Sequence, residues 1–315
     1  MQSESALSID SSRKQESHLM SSTDKIETLP VTVLIATKNE ACNIRECLES
    51  VAWAQQVILV DSQSIDGTIE IAVDHGAEVH QFYYEGGWPK KRNWALENLT
   101  INNPWVLILD ADERVSDELQ WEIRDAIQRD DFDGYYIKWK FIFLGRWMKH
   151  SWSHGWMLRL FRQGLGGYED LGMRTEGGWD AEVHENVVVE GNCGRLKTPL
   201  LHETRQDLEY WIRKQNEFST WNAKRRKQQL KTPMPPLRNL LSRDPGLKRR
   251  WLKAFFIRLP GKPIWMFLYL YVVKAGFLDG RVGFIFCVMR AIHEFNISAK
   301  LYEDKVMHSA EQSSS

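Results

Sequence analysis

The chain is 315 residues long, enough to bury a large core, and one domain with an appendage is the natural organisation. Its 41 basic and 42 acidic residues leave a net charge of −1, so nothing global points to nucleic acid as a partner. The four cysteines, Cys42, Cys47, Cys193 and Cys287, fit no metal or redox spacing and imply reduced thiols in a cytosolic setting.

Residues 1–29 are rich in Ser, Glu and Lys and lack the apolar segment of a secretory signal, which predicts a disordered tail. Val31–Ala36 is a short apolar strand entering Thr37-Lys-Asn-Glu40, and Ile44, Leu48 and Val51 follow at helical spacing. Val57–Asp61 is a second buried strand that ends in an acid. Ser62–Thr68 is then a turn and N-cap into a helix over Ile69–His75. Ala77–His80 is a third strand and Lys91–Leu99 a helix.

Trp105–Asp112 is an unbroken apolar run ending in two carboxylates, as expected of a strand buried on both faces. This alternation of strands and helices predicts an α/β domain with a mainly parallel sheet. Ligands of such sheets bind beyond the carboxyl ends of the strands, where Glu40, Asp61 and Asp110 are expected to share one crevice. Side chains alternate along an extended chain, so Asp110 and Asp112 can project to one side. Two hard oxygen ligands suit Mg²⁺ or Mn²⁺ when a diphosphate supplies the remaining oxygens. The same acids, followed by Glu113, Asp117 and Glu118, also read as the acidic start of a helix. The first strand lacks a Gly-x-Gly-x-x-Gly and the chain lacks a Gly-x-x-x-x-Gly-Lys-Ser/Thr, which removes dinucleotide-binding and P-loop readings.

Beyond Asp133 come strand-like pieces at Tyr135–Lys140, Met157–Phe161 and Glu182–Val189, then a polar helix from about Gln206 to Lys227. Many of the 14 Trp fall between Trp139 and Trp179, where aromatic crowding suits either a core or sugar rings. Trp139–Trp156, with Arg146, Lys149 and His150, is a candidate binding wall on composition, and an acceptor wall if the chain transfers a sugar. From Lys224 to Lys262 a basic run is opposed only by Asp244, and the greasy segments Ile264–Val273 and Val282–Met289 follow. Both are too short to span a bilayer, and no spanning helix is predicted. Basic residues beside aromatic-rich helices predict binding at an anionic membrane surface; the alternative is a helical pair packed on the first domain. The expected layout is tail 1–29, α/β domain 30–205, helical membrane-surface region 206–305 and tail 306–315.

The ordered set Val31–Glu40, Val60–Thr68, Lys90-Lys-Arg-Asn-Trp-Ala95 and Leu109-Asp-Ala-Asp112 resembles the family-2 inverting glycosyltransferases of the GT-A fold. More closely, it looks like the lipopolysaccharide-core glucosyltransferases and their relatives, through Arg159–Arg162, Val183-His-Glu185, Leu200–Glu203 and Gly276-Phe-Leu-Asp-Gly280. The resemblance implies a GT-A mixed, mainly parallel sheet flanked by helices. It implies a metal-dependent hexosyltransferase taking a nucleotide-sugar donor and a lipid-linked glycan acceptor, located at the cytoplasmic face of the inner membrane. Glu40 and Asp61 would contact the base and ribose, with Thr37 shaping the first loop and Arg92 reaching the diphosphate. Asp110 and Asp112 would be the metal pair, Asp112 the direct ligand, with His202 a third metal or diphosphate contact and Glu113 leaving the exact ligand open. Asp66 is either a donor-loop acid or a helix N-terminal acid.

General-base activation of the acceptor hydroxyl falls by the same resemblance to Trp179–Glu185, with Glu185 as base and Glu182 as alternative. His184 is there a phosphate donor or a packed polar residue. The Gln-x-x-Arg-Trp of processive relatives is missing around Gln215–Trp221, which favours transfer of a single sugar over polymerisation. Two other classes compete: a sugar nucleotidyltransferase, against which the lack of a Gly-rich first loop counts, and a non-catalytic membrane-associated binding protein.

Overall fold

The computed structural model describes residues 28–86, 88–152, 155–170, 186–203, 205 and 207–313, with side chains described to residue 307. The expected N-terminal tail lies outside the described residues up to position 27, as do Glu182, His184 and Glu185. The apolar runs form the centre of a seven-stranded mixed sheet. In chain order its strands are β1 (Leu29–Thr37), β2 (Ala54–Asp61), β3 (Glu78–Gln81) and β4 (Trp105–Asp110); a short strand, β5 (Glu113–Arg114), lies outside this sheet. Then come β6 (Gly134–Ile137), β7 (Trp139–Phe143), β8 (Arg146–Trp147), β9 (Met157–Arg162), β10 (Gly166–Tyr168), β11 (Val187–Val189), β12 (Cys193–Arg195) and β13 (Leu200–Glu203). The large sheet runs β12-β6-β9-β4-β1-β2-β3, with β9 antiparallel to both neighbours and every other pair parallel.

Alternation along β1 and β4 feeds two cores. Val31, Val33, Ile35, Leu107 and Leu109 point to one face, and Leu34, Val106 and Ile108 to the other. Helices α1 (Ala41–Glu49), α2 (Thr68–Asp74), α3 (Lys91–Asn98) and α4 (Asp117–Ile127) cover the sheet. The expected carboxyl-end crevice follows from register: Thr37 lies opposite Asp61, and Ala36 opposite both Val60 and Asp110. Asp110 and Asp112 do not open a helix, although Asp117 and Glu118 do. Glu113 enters β5 instead, and α4 starts only at Asp117 under the Ser116 cap, whose hydroxyl accepts from Leu119 N at 3.3 Å.

The single strand expected over Tyr135–Lys140 is two strands in two sheets. Its first half, β6, stays beside β9, and the chain then leaves at Lys138, whose carbonyl accepts from Leu200 N at 2.9 Å. β7 thereby joins a second sheet of order β5-β13-β7-β8, in which His202 stands opposite Glu113 and Phe141.

The remaining chain is helical: α5 (Leu208–Lys231), α6 (Arg238–Leu241), α7 (Pro245–Arg258), α8 (Lys262–Leu268), a π turn over Tyr269–Val273, a 3-10 turn over Gly276–Asp279 and α9 (Gly280–Ser313). α9 runs past the boundary expected at 305, since no Gly or Pro interrupts residues 306–313. By length and composition Gly276–Met307 is also long and apolar enough to cross a membrane, which a search for unbroken apolar runs misses. Charged residues nevertheless dot this helix and pair with α5: Arg226 grips Glu294 at 2.8 and 3.2 Å, and Lys300 donates to Asn216 and Ser219 at 2.7 Å each.

Asp279 ties this layer to the sheet domain. Its buried carboxylate accepts from the amides of Lys149, His150 and Ser151 at 2.8–3.1 Å and from the Ser151 hydroxyl at 2.7 Å. The glycines of Gly276-Phe-Leu-Asp-Gly280 make room for that latch, because a Cβ on Gly276 would stand 2.6 Å from the Leu270 carbonyl.

Candidate active site

Two loops close over the carboxyl ends of β1 and β2. Asp61 accepts from Thr37 Oγ1 at 2.9 Å, Ser64 N at 2.7 Å and Gln81 Nε2 at 3.2 Å, and it is fully buried. Asn39 bridges the same loops, its amide donating to Ser64 Oγ at 2.7 Å and its side-chain oxygen accepting from Ile65 N at 2.9 Å. Asp66 accepts from Ala41 N at 3.1 Å and from Thr68, whose hydroxyl accepts from Glu40 N at 2.9 Å. Thr37, Asp61 and Asp66 therefore shape the crevice. Asp61, expected to touch the donor, presents no free oxygen here, because protein donors already fill its lone pairs.

The Lys-Lys-Arg-Asn motif works residue by residue. The Lys91 amine donates to the Thr37 carbonyl at 2.8 Å. Asn93 clasps the Tyr168 backbone with a 2.8 Å donation and a 2.7 Å acceptance. Arg92 pairs with Asp110 and lies 5.6 Å above the Tyr168 ring, so it is a part of the crevice wall and not a solvated helix residue.

Arg159 completes the setting of Asp110, donating to its Oδ2 at 3.0 Å and to Glu113 Oε1 at 2.7 Å. Glu113 in turn accepts from Asp110 N at 2.8 Å. Burial alone would raise the Asp110 pKa, yet Arg159 and then Arg92 hold it well below the usual carboxylate range. For Glu113 burial wins over Arg159, and its carboxyl is pushed up to about 7. Asp110, expected in the metal pair, is thus held between two guanidinium groups, with little carboxylate left for a cation.

Asp112 faces the other way. Its Oδ2 is 3.1 Å from His202 Nε2, and the imidazole is boxed edge-on by Trp139 and Phe141 at centroid distances of 4.5 and 5.4 Å. Burial opposes charge on both partners, but each holds the other ionised: the Asp112 pKa is lowered and the His202 pKa raised. His202 Nδ1 is buried with no hydrogen-bond partner among the described residues.

Lys214, one and a half turns into α5, approaches from the C-terminal layer and lies 3.5 Å from Glu40 Oε1. Glu40 also accepts from Asn43 Nδ2 at 2.7 Å; burial raises its pKa, and Lys214 opposes that. Burial would lower the Lys214 pKa, but Glu40 and Asp112 drive it up, so the amine is a fixed cation.

The site thus brings together Thr37, Glu40, Asp61, Arg92, Asp110, Asp112 and His202, and adds Asn43, Arg159 and Lys214, which sequence reasoning does not assign. Arg159 sits in a motif that the sequence singles out, whereas Lys214 lies in a polar helix with no local mark. The expected acceptor wall splits. Trp139 backs His202, and Trp152 packs against Phe286 and Arg290 of α9. Trp156 carries Lys138 and Arg195 over its ring, and Trp147 carries Lys140 and Lys149.

A divalent cation fits this donor set only as a shared ion. No cluster of three His, Cys, Asp or Glu side chains converges among the described residues. Asp112 and His202 supply one hard oxygen and one imidazole nitrogen, and the oxygens of a bound diphosphate would complete the sphere.

Residues 32–179 match the family model described as Glycosyl transferase family 2. The chain carries a family-2 glycosyltransferase domain. This glycosyltransferase is 29% identical over 286 residues to the lipopolysaccharide core biosynthesis glycosyltransferase LpsC of Rhizobium meliloti (strain 1021), covering 88% of this chain and 94% of the relative. Among solved structures it is similar to S. aureus TarS 1–349, with 16% identity, 85% and 91% of the two chains covered and a TM-score of 0.43. A shorter likeness, 19% identical over 36% of this chain and 44% of the other at a TM-score of 0.29, is to glucosyl-3-phosphoglycerate synthase from Mycobacterium tuberculosis in complex with Mn²⁺, UDP and glucosyl-3-phosphoglycerate. His202 and Lys214 of this glycosyltransferase both lie beyond the segment that the family model matches.

Proposed function

We propose that this glycosyltransferase moves a single hexose, with glucose the first candidate, from a nucleoside-diphosphate sugar to a lipid-linked saccharide such as lipopolysaccharide inner core, with inversion. The observation that carries the reading is the Asp112–His202 pair just after β4, in a crevice that also holds the cations of Arg92, on Asp110, and Lys214, on Glu40. The diphosphate leaves with more negative charge than it carries while bonded to the sugar, and fixed cations stabilise that change. Held by Asp112 and His202, Mg²⁺ or Mn²⁺ would add a Lewis acid on the leaving group.

The acceptor hydroxyl attacks the anomeric carbon, its bond to the diphosphate oxygen breaks, and the hydroxyl proton passes to a carboxylate on the opposite side. Glu185, or Glu182, is our candidate for that base, on the family resemblance. The name of LpsC, a lipopolysaccharide core biosynthesis glycosyltransferase, supports this acceptor class. A lipid-linked acceptor agrees with the C-terminal layer, where Lys248, Arg249, Arg250 and Lys253 of α7 are exposed beside Leu252 and Phe255. Those residues suit an anionic cytoplasmic membrane surface.

The test is hydrolysis of a panel of nucleotide-sugars by the purified chain with Mg²⁺, with Mn²⁺ and with chelator. Release of nucleoside diphosphate from one donor, lost with chelator and in Asp112→Ala, is expected. Turnover of no donor, together with no metal-dependent nucleotide binding, would overturn the reading.

A further inference from the structure

The C-terminal helices border an open hollow of about 510 Å³ that sugar transfer does not use. It lies between the α7–α8 connection, Leu259–Ile264, and the flank of α9 at Phe295 and Ser298. The lining is apolar except for Ser298, whose hydroxyl is spent on the Glu294 carbonyl at 2.9 Å, and Lys262.

Lys262 stands out. It is only 9% exposed as a residue and no hydrogen bond or ion pair takes its amine among the described residues, while the Nζ itself keeps contact with solvent. The charged groups that act on it are Arg226 and Glu294, and the Glu294 carboxylate is already taken by both terminal nitrogens of Arg226. Two cations therefore share one anion, which leaves about one positive charge without a counterion beside the hollow. Partial burial, with Arg226 adding to it, pulls the Lys262 amine down to about 8. At the mouth the walls turn outward: Ile264 is 65% and Phe295 61% exposed.

The geometry points to a binding site for one anionic membrane lipid, with its headgroup phosphate on Lys262 and its acyl chains leaving along Ile264 and Phe295. Charge complementarity selects the occupant, since an apolar-walled hollow with one uncompensated amine favours an anion attached to a greasy body. This site deepens the membrane-surface reading and depends on it for its source of lipid. It differs from diffuse attraction in being stoichiometric and headgroup-selective.

The experiment is calorimetric titration of the full-length protein with dihexanoyl-phosphatidylglycerol below its micelle concentration, alongside dihexanoyl-phosphatidylcholine and inorganic phosphate. One phosphatidylglycerol per chain is expected, with phosphatidylcholine and inorganic phosphate each at least about tenfold weaker. Lys262→Met, which keeps the side-chain length and removes the solvent-accessible charge, should lose at least about tenfold in phosphatidylglycerol affinity while keeping its melting curve and donor hydrolysis. Phe295→Ala should weaken the lipid and leave inorganic phosphate unchanged.

Equal phosphatidylglycerol affinity in wild type and Lys262→Met overturns the site. Inorganic phosphate binding as tightly as the lipid overturns the lipid as occupant. Should the wild type float with phosphatidylglycerol vesicles and yet bind no short-chain lipid, the site fails while the membrane-surface reading stands.

Discussion

Asp112 and Lys214 reach the same crevice from the sheet domain and from the C-terminal helices, and their contributions separate kinetically. Asp112 has its side chain on His202, while its backbone carbonyl accepts from Glu203 N at 3.0 Å whatever the side chain is. Asp112→Asn should therefore keep the fold and lower nucleoside-diphosphate release at least about 10²-fold, the scale on which one preorganised charged group acts. Lys214 holds a cation between Glu40 and Asp112, so Lys214→Met should raise the donor KM and lower kcat together, by about 10- to 100-fold in kcat/KM. Lys214→Arg should recover part of that loss. Unchanged kinetics in Lys214→Met would make the amine a filler that only neutralises Glu40.

The acids beside Arg159 have opposite pH dependence. Asp110 titrates below its ordinary value of 3.8, so its stabilisation is present above that pH and is lost as pH falls through the folded value. Glu113 is raised from 4.5 to about 7, so its contribution is full below 4.5 and disappears as pH rises through 7. Melting temperatures taken between pH 5 and 8 should carry a downward component that Glu113→Gln removes. Equal slopes in the two proteins would mean that Arg159 keeps Glu113 ionised throughout.

Among the elements, the 3-10 turn before α9 has the clearest single task. Asp279 satisfies three backbone amides and a hydroxyl in the 149–151 segment, and its pKa lies below the ordinary value because those bonds outweigh its burial. Asp279→Ala leaves buried donors unpaired and should cost about 2–4 kcal/mol, measured by denaturant unfolding. A loss below about 0.5 kcal/mol would mean that water replaces the carboxylate.

This element also marks how far the sequence can be read. β1, β2 and β4 were legible because apolar run length and a terminal acid are local signals, and parallel register then aligns Thr37, Asp61 and Asp110. The Asp110 and Asp112 pair was legible as acids but not as two settings, because Arg159 arrives from an antiparallel neighbour and His202 from a second sheet. Lys214 was not legible, since nothing in a polar helix says which turn crosses the crevice. The split of Tyr135–Lys140 was hidden for a related reason: both halves have the same strand pattern, and only their partners differ.

At the scale of the molecule, the C-terminal layer has two faces with different work. The inner face completes the crevice through Lys214 and fixes α9 to α5 through Arg226, Glu294 and Lys300. The outer face leaves Ile264, Trp265, Val272, Phe277 and Leu278 exposed, and α7 has no buried residue at all. Exposed apolar side chains in such number mark a contact surface, and the basic residues of α7 give it a sign.

Each Lys or Arg near an anionic surface contributes about 1 kcal/mol at most, so replacing Lys248, Arg249, Arg250 and Lys253 together by Gln should weaken binding to phosphatidylglycerol vesicles about 10²- to 10³-fold. Raising the ionic strength should weaken the wild type in the same direction, because surface charges are screened beyond a Debye length of about 8 Å at physiological salt. Donor hydrolysis in free solution needs no membrane and should stay at the wild-type rate, whereas transfer to an acceptor embedded in vesicles should fall in step with binding. Vesicle affinity that ignores both salt and the four replacements would remove charge from the account and leave the apolar residues of α8 and α9 as the whole contact.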